Sequence, residues 1–196
     1  MGRIILPVSV SLDGYFEGPG RELDWHLVDE ELHTHFNEQA ARMAAFLSGR
    51  VTHELMEQYW PTADENPDAS APEAEFAEIW RSMPKYVFSR TWDPGAHREW
   101  NTTVVRHVDP AEIEALKAAP GGDLGLGGAD LAATFMRHGL IDEFRLYVHP
   151  VVLGDGRPLF PRTGIRTNLL PAGSHTFGNG VVLLRYLTPR DRAGSS

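Results

Sequence analysis

Short apolar runs alternate with segments of helical spacing along most of this chain, and that alternation limits the folds open to it. "RIILPVSVSL" (Arg3 to Leu12) is short, apolar and β-branched, and reads as a strand buried on both faces. From Asp29 to Met43, apolar residues fall at Leu32, Phe36, Ala40 and Met43, which predicts a helix with one buried stripe. "AAFLSG" reads as a second strand, and "VTHELMEQYW" as a helix packed through Val51, Leu55, Tyr59 and Trp60. "EAEFAEIWRSM" predicts a short helix, and "KYVFS", "NTTVVRHV" and "GDLGLGG" three further strands. Asp109 can cap, and Pro110 can open, the helix in "DPAEIEALKAA". Leu131, Phe135 and His138 share another helix face that Gly139 can close. "EFRLYVHPVVLG" is the sixth strand.

"DGYFEGPGRELDW" and "PTADENPDASAP" (Pro61 to Pro72) are loops by their glycine and proline content. The end of the chain loses helical period, and Gly178-Asn179-Gly180 marks a turn between apolar runs, hence antiparallel strands. The expected architecture is α/β: three layers, a mostly parallel sheet with helices on both faces, and antiparallel C-terminal strands. Residues 1–189 are expected to form one domain, and "RDRAGSS" (190–196) a flexible tail.

Composition removes several classes of function. A formal net charge of -9 gives no global field for nucleic acid or anionic membranes. Without cysteine there is no disulfide, thiolate nucleophile or cysteine-held metal. The nine histidines form no metal set; His33 and His35, two apart, fall on different helix faces. No apolar run approaches the roughly 18 to 20 residues that span a bilayer. The start, "MGRIILPVSVSLDGYF", lacks a signal peptide's long apolar region. The expectation is a soluble, cytoplasmic protein that binds neither nucleic acid nor membrane.

Open α/β sheets bind ligands at the carboxyl ends of their strands, so the strand-to-helix junctions are the candidate sites. In "SGRVT", Gly49 precedes a helix whose free N–H groups and dipole suit a pyrophosphate, while Arg50 adds charge and Thr52 a hydroxyl. An ordinary helix start with a solvated arginine reads the same way. In "FSRTW", Ser89, Arg90 and Thr91 suit the 2′-phosphate of NADP, or a surface turn. "GGDLGLGGADLAATFMRHGLIDEF" holds five glycines in its first eight residues. Glycine at the end of a buried strand weakens it. A dinucleotide pressed against side-chain-free backbone at Gly127-Gly128 would supply the reason. Asp130 replaces the third glycine of G-x-G-x-x-G, and no G-x-x-x-x-G-K-[ST] occurs.

At these junctions the chain resembles the dihydrofolate reductase-like superfamily, and most closely the reductase domain of bifunctional riboflavin-biosynthesis deaminase-reductases. The resemblance is carried by "VSLDGYFEG", "LSGRVTHE", "YVFSRTW" and "LGLGGADLAATFMRHGLIDEFRLYVHPVVLGDGRPLF", and runs from about Ile4 to about Leu187. It implies NADPH as cofactor, with Gly49, Arg50 and Thr52 at its phosphates and Ser89 and Arg90 at its 2′-phosphate. It also implies a cis peptide joining Gly127 to Gly128, with Ala129, Asp130 and Leu131 opening a helix toward the pyrophosphate. A homodimer is implied as well.

The substrate end is less marked. Counting by the spacing of dihydrofolate reductases places His33 where those enzymes carry an acid, and Asp29, Glu30 and Glu31 lie just before it. Asp13, in "SLDG", is the best candidate for the substrate pocket, as ligand or as loop anchor, and Trp25 is a second lining residue or a core plug. His149 before Pro150 reads as structural, and Gly154, Asp155 and Gly156 as a tight turn. The expected function is NADPH-dependent reduction of a small pterin- or pyrimidine-like heterocycle. The alternative is a non-catalytic nucleotide-binding or regulatory protein that retains the fold.

Overall fold

A computed structural model describes residues 1–93, 100–160 and 166–189. The expected tail, 190–196, lies outside them. In chain order the strands are β1 (Ile4–Ser11), β2 (Tyr15–Glu17), β3 (Met43–Gly49), β4 (Lys85–Phe88), β5 (Thr102–Val105), β6 (Asp123–Gly127), β7 (Glu143–His149), β8 (Arg157–Pro158), β9 (Leu170–Thr176) and β10 (Val182–Leu187). The α-helices are α1 (Glu30–Ala40), α2 (Arg50–Tyr59), α3 (Ala71–Ser82), α4 (Pro110–Ala118) and α5 (Ala129–Arg137).

Eight strands form one sheet in the order β5-β4-β3-β6-β1-β7-β10-β9. The pairings from β5 to β7 are parallel, and β10 and β9 close that edge antiparallel. One face of the sheet presents Ile4, Leu6, Val8, Val10, Leu124 and Leu126 to α4 and α5, whose Ile113, Leu131, Ala132 and Phe135 are buried there. The other face is covered by α1 through Leu32, which packs with Tyr147, Phe177 and Leu183. Beside it Ile79 of α3 packs against the group of Ile5, Met43 and Met83. Helices on both faces of a mostly parallel sheet with an antiparallel edge are the expected architecture.

Several local expectations are corrected. The first helix ends at Ala40, not Met43. Buried Asn37 fastens it to α3 by donating to Pro72 O and Glu75 Oε2, each at 2.8 Å, and Met43 is taken into β3. The stripe Val51, Leu55, Tyr59 of α2 faces outward, at 47%, 58% and 45% exposure. The buried side of that helix carries His53 instead, stacked on Trp80 at 5.9 Å. Periodicity establishes that a helix has two faces but not which one meets the core. Trp60 leaves α2 to begin a 3-10 turn, Trp60–Glu65, inside the expected loop. β2 was expected to be loop and pairs with β8; Gly156 permits this, since a Cβ there would overlap Glu17 O.

Among the described residues no helix is long and apolar enough to cross a membrane.

Candidate functional site

β4, β3 and β6 are neighbours, with Gly49 level with Phe88 and Ser48 level with Gly127. The three sequence-predicted junctions therefore stand side by side along the carboxyl edge of the sheet. What distinguishes two of them is how their helices begin. α1, α3 and α4 start with Asp29, Ser70 and Asp109, whose side chains accept hydrogen bonds from Leu32 N, Glu73 N and Ala111 N. α2 starts after Gly49 and α5 after Gly128, neither with a side-chain cap. The first-turn N–H groups of both helices are left without a side-chain cap beside each other at the carboxyl edge of the sheet, where open α/β sheets have their binding crevice, each with the positive end of its dipole.

Gly128 shapes that crevice. Its backbone sits at φ 90°, ψ 131°, a region that side-chain-bearing residues rarely adopt. A Cβ there would meet Thr52 Oγ1 at 2.5 Å and stand 3.9 Å from Gly49 N. The expected cis bond between Gly127 and Gly128 is not found: no cis peptide occurs among the described residues. The reversal from β6 into α5 is made by the positive φ of Gly128 across a trans peptide.

The side chains of the predicted set divide. Thr52 lies against the glycine pair, whereas the Arg50 guanidinium lies back along its own helix on Glu54 at 2.8 Å. Ala129 is half-buried and Leu131 is buried, so Leu131 can reach a ligand only through its N–H. Asp130 is exposed and ion-paired with Arg157, which also lies 3.6 Å from Glu17. That pairing offsets an acid at a helix start facing the crevice. Ser89 accepts Trp92 N–H at 3.0 Å, and Arg90 is exposed. Arg106, not picked out from the sequence, donates to Ser89 O and Trp92 O at 3.0 and 2.7 Å and adds a second guanidinium there. Only the pairing of β5 with β4 brings it near; no local motif marks it.

β1 is the neighbour of β6 on the other side, and its end carries Asp13. Asp13 accepts from Ser11 Oγ at 2.7 Å, Leu153 N at 3.1 Å and Gly154 N at 2.8 Å. The Ser11 hydroxyl, ahead of the two backbone donors, holds this carboxyl below the usual range. So placed, Asp13 ties the segment after β7 to the end of β1. Trp25 donates to Glu22 O and packs edge-on against His26 and His149, at 4.2 and 5.4 Å between centroids. His149 is fully buried, and its Nδ1 accepts Leu27 N–H at 3.1 Å. The ring proton therefore sits on Nε2, which has no partner among the described residues. Burial pushes the His149 pKa down to about 4, and burial also lowers that of His26, stacked 5.2 Å away.

The α1 candidates do not gather at the crevice. Asp29 is the helix cap, Glu31 accepts Gly178 N–H at 2.9 Å, and His33 packs against Trp60 and Phe76. No group of three or more His, Cys, Asp or Glu that could hold a metal occurs among the described residues.

Comparison with known proteins agrees with the fold. Residues 3–183 match the model of the RibD C-terminal domain. The chain is 41% identical to the uncharacterized protein YyaP of Bacillus subtilis (strain 168) over 187 residues, 94% of each chain. A structure from Shewanella sp. PV-4, provisionally assigned to riboflavin biosynthesis, superposes with a TM-score of 0.75 at 22% identity, covering 96% of this chain and 99% of that one. A pyrimidine reductase-like protein from Corynebacterium diphtheriae superposes with a TM-score of 0.67 at 14% identity, covering 97% and 93%. The diaminohydroxyphosphoribosylaminopyrimidine deaminase/5-amino-6-(5-phosphoribosylamino)uracil reductase of Thermotoga maritima gives 0.63 at 12% identity, with 96% of this chain covering 57% of that longer one. The match runs over most of the chain's length, and the fold agrees with it: the chain belongs to the RibD C-terminal domain family.

Proposed function

We propose that this protein is an NADPH-dependent reductase of a small pyrimidine- or pterin-like heterocycle. The observation that carries the reading is the pair of uncapped helix starts, α2 and α5, on adjacent strands with Gly128 between them. Two sets of open N–H groups and two dipole ends suit the two charges of a pyrophosphate. They supply local attraction on a chain whose net charge is -9. The backbone of Gly49 to Thr52 and of Gly127 to Leu131 would hold the pyrophosphate. Ser89 and Arg90, with Arg106 beside them, would hold the 2′-phosphate. Bound NADPH supplies the hydride. Asp13 would keep the segment after β7 in place beside the reacting end, and Trp25 would exclude water there.

The relatives named above support the substrate class, since two are pyrimidine reductases or resemble one. The lack of cysteine excludes a cysteine-ligated zinc centre for deamination and favours the reductase half of that chemistry. A cytoplasmic setting and a homodimer belong to the same proposal. A second reading, a nucleotide-binding protein without turnover, draws on the capping and loop-anchoring roles of Asp29 and Asp13.

Titration with NADPH and NADH, followed by a turnover screen on aminopyrimidines and pterins, tests both. NADPH binding with turnover supports the reductase, and binding without turnover on any substrate supports the second reading. No binding of either nucleotide rejects both. Light scattering tests the dimer: a mass near 21.8 kDa rejects it.

A further inference from the structure

A second concentration of polar chemistry lies at the opposite end of the same strands. Ile5, Met43 and Asp123, at the starts of β1, β3 and β6, line a cavity of about 470 Å³ beneath the second half of α1. Met43 and Gly49 are the two ends of β3, six residue steps apart, which sets the two places roughly 20 Å apart along the strand. This cavity contributes nothing to the cofactor crevice.

Its lining includes four arginines: Arg3, Arg42, Arg145 and Arg185. Arg145 and Arg185 stand directly opposite each other across the β7–β10 ladder. Like charges facing each other in a sheet repel. Both are held by the fully buried Glu143, whose Oε1 accepts from Arg145 Nε at 2.8 Å and Arg185 Nε at 2.9 Å. Arg3 binds Glu143 Oε2 through Nη1 and Asp123 through Nη2, each at 2.8 Å.

Neutralising Glu143 is the simplest account of this cluster, and it falls short. One carboxylate does not need three guanidiniums, and Asp123 offsets only one of the remainder. Arg42 touches neither acid and has no ion-pair or side-chain hydrogen-bond partner among the described residues. Arg145 is nearly buried, at 8% side-chain exposure, yet its Nη2 is uncommitted after Nε and Nη1 bind Glu143 and Gln39. Arg185 spends Nε and Nη2 on Glu143 and leaves Nη1 over. Burying guanidinium charge costs free energy unless it is paired. The excess is positive, concave and forked, the arrangement that takes carboxylate or phosphate oxygens in pairs. Ile5, Met43 and Leu183 add an apolar floor, and the volume is within the usual range for small ligands.

We propose that this cavity is a second ligand site, for a small molecule carrying a multiply charged oxyanion group, carboxylate or phosphate, on a compact apolar body. The inference is independent of the reductase reading, because it uses none of the crevice residues.

The test uses inorganic pyrophosphate and citrate as probes, titrated calorimetrically into the full chain and two variants. Arg42→Glu reverses a charge on an exposed rim residue whose side chain makes no hydrogen bond or ion pair among the described residues. Gly49→Asp places a carboxylate at the open start of α2 and closes the crevice to anions; its added Cβ meets nothing within 4 Å. The proposal expects saturable binding of at least one probe to the wild type, retained in Gly49→Asp and weakened at least tenfold in Arg42→Glu. The tighter probe identifies phosphate or carboxylate as the recognised group. Circular dichroism confirms that both variants fold, and Ser174→Glu, on the facing rim, serves in place of Arg42→Glu should that variant unfold. Binding lost in Gly49→Asp but intact in Arg42→Glu assigns the anion to the crevice and overturns the proposal. Absence of saturable binding of either probe to the wild type overturns it too. So does efficient disulfide cross-linking of Ser174→Cys between two copies, which would show that a second copy covers the cavity.

Discussion

Thr52 Oγ1 occupies the position where a side chain on Gly128 would begin, 2.5 Å from the ideal Cβ. Helix α2 and the β6–α5 turn are thus fitted to each other through one missing methyl group. Gly128→Ala meets both this overlap and a φ of 90°, and is expected to lose about 1–3 kcal/mol of stability. Cofactor affinity should fall with it. Adding Thr52→Gly removes the overlap but not the backbone strain, so a double-mutant cycle in urea should recover only part of the loss. Full additivity would show that the two positions do not interact.

Gly49→Asp makes the opposite trade. It gives α2 the cap that α1, α3 and α4 already have, and puts negative charge at the dipole's positive end. A gain of about 0.5 kcal/mol is expected. NADPH affinity should drop at least tenfold, because the new carboxylate takes the N–H groups and repels phosphate. Thermal denaturation and a nucleotide titration on the same variant check this. A stabilised variant that still binds NADPH normally would remove α2 from the cofactor site.

Arg90→Ala should weaken NADPH binding while sparing NADH, and Arg106→Ala should do the same more weakly, since Arg106 is already committed to Ser89 O and Trp92 O. Equal losses for both nucleotides would show that neither arginine reads the 2′-phosphate.

Acid sensitivity should arise at His149. Its native pKa of about 4 lies below the roughly 6.5 of an unfolded chain. Between those values the unfolded state holds more protons, so stability rises with pH across the window and is lost as pH falls through it. By pH 5 the loss relative to neutral pH amounts to about 2 kcal/mol. His26, shifted in the same direction, adds to it. His149→Asn keeps an acceptor for Leu27 N–H and should show a smaller drop in denaturation midpoint between pH 7 and pH 5. An unchanged drop would place the sensitivity elsewhere.

Features set by near neighbours were legible in the sequence. Asp109 and Pro110 announce α4 because a cap acts on residues two or three positions away. Gly128 announces itself because a positive φ and the closeness of Thr52 leave room for glycine alone. Other features depend on distant partners. The outward stripe of α2 needed Trp80 to show that His53 was the buried side. The short β2 needed Arg157 and Pro158, and the Arg3–Glu143–Arg145–Arg185 cluster draws on β7, β10 and the residue just before β1. The trans bond before Gly128 departs from what the family resemblance implied, because a positive φ turns the chain there instead.

β1 is made first and sits in the middle of the sheet, between β6 and β7. Its pairing with β7 is accompanied by a hydrogen bond from Ile4 N–H to Asp142 Oδ2, 138 residues further on. The central ladder therefore cannot form on the ribosome until most of the chain has emerged. Until then β1 exposes "IILPVSVS" without either neighbour. Contacts of such long sequence separation fold slowly, because loop closure precedes any gain from pairing. The same centrality that sets Asp13 at the carboxyl edge thus leaves the strand before it unpaired until β6 and β7 have been made. Refolding from denaturant should be slow and limited by aggregation as concentration rises.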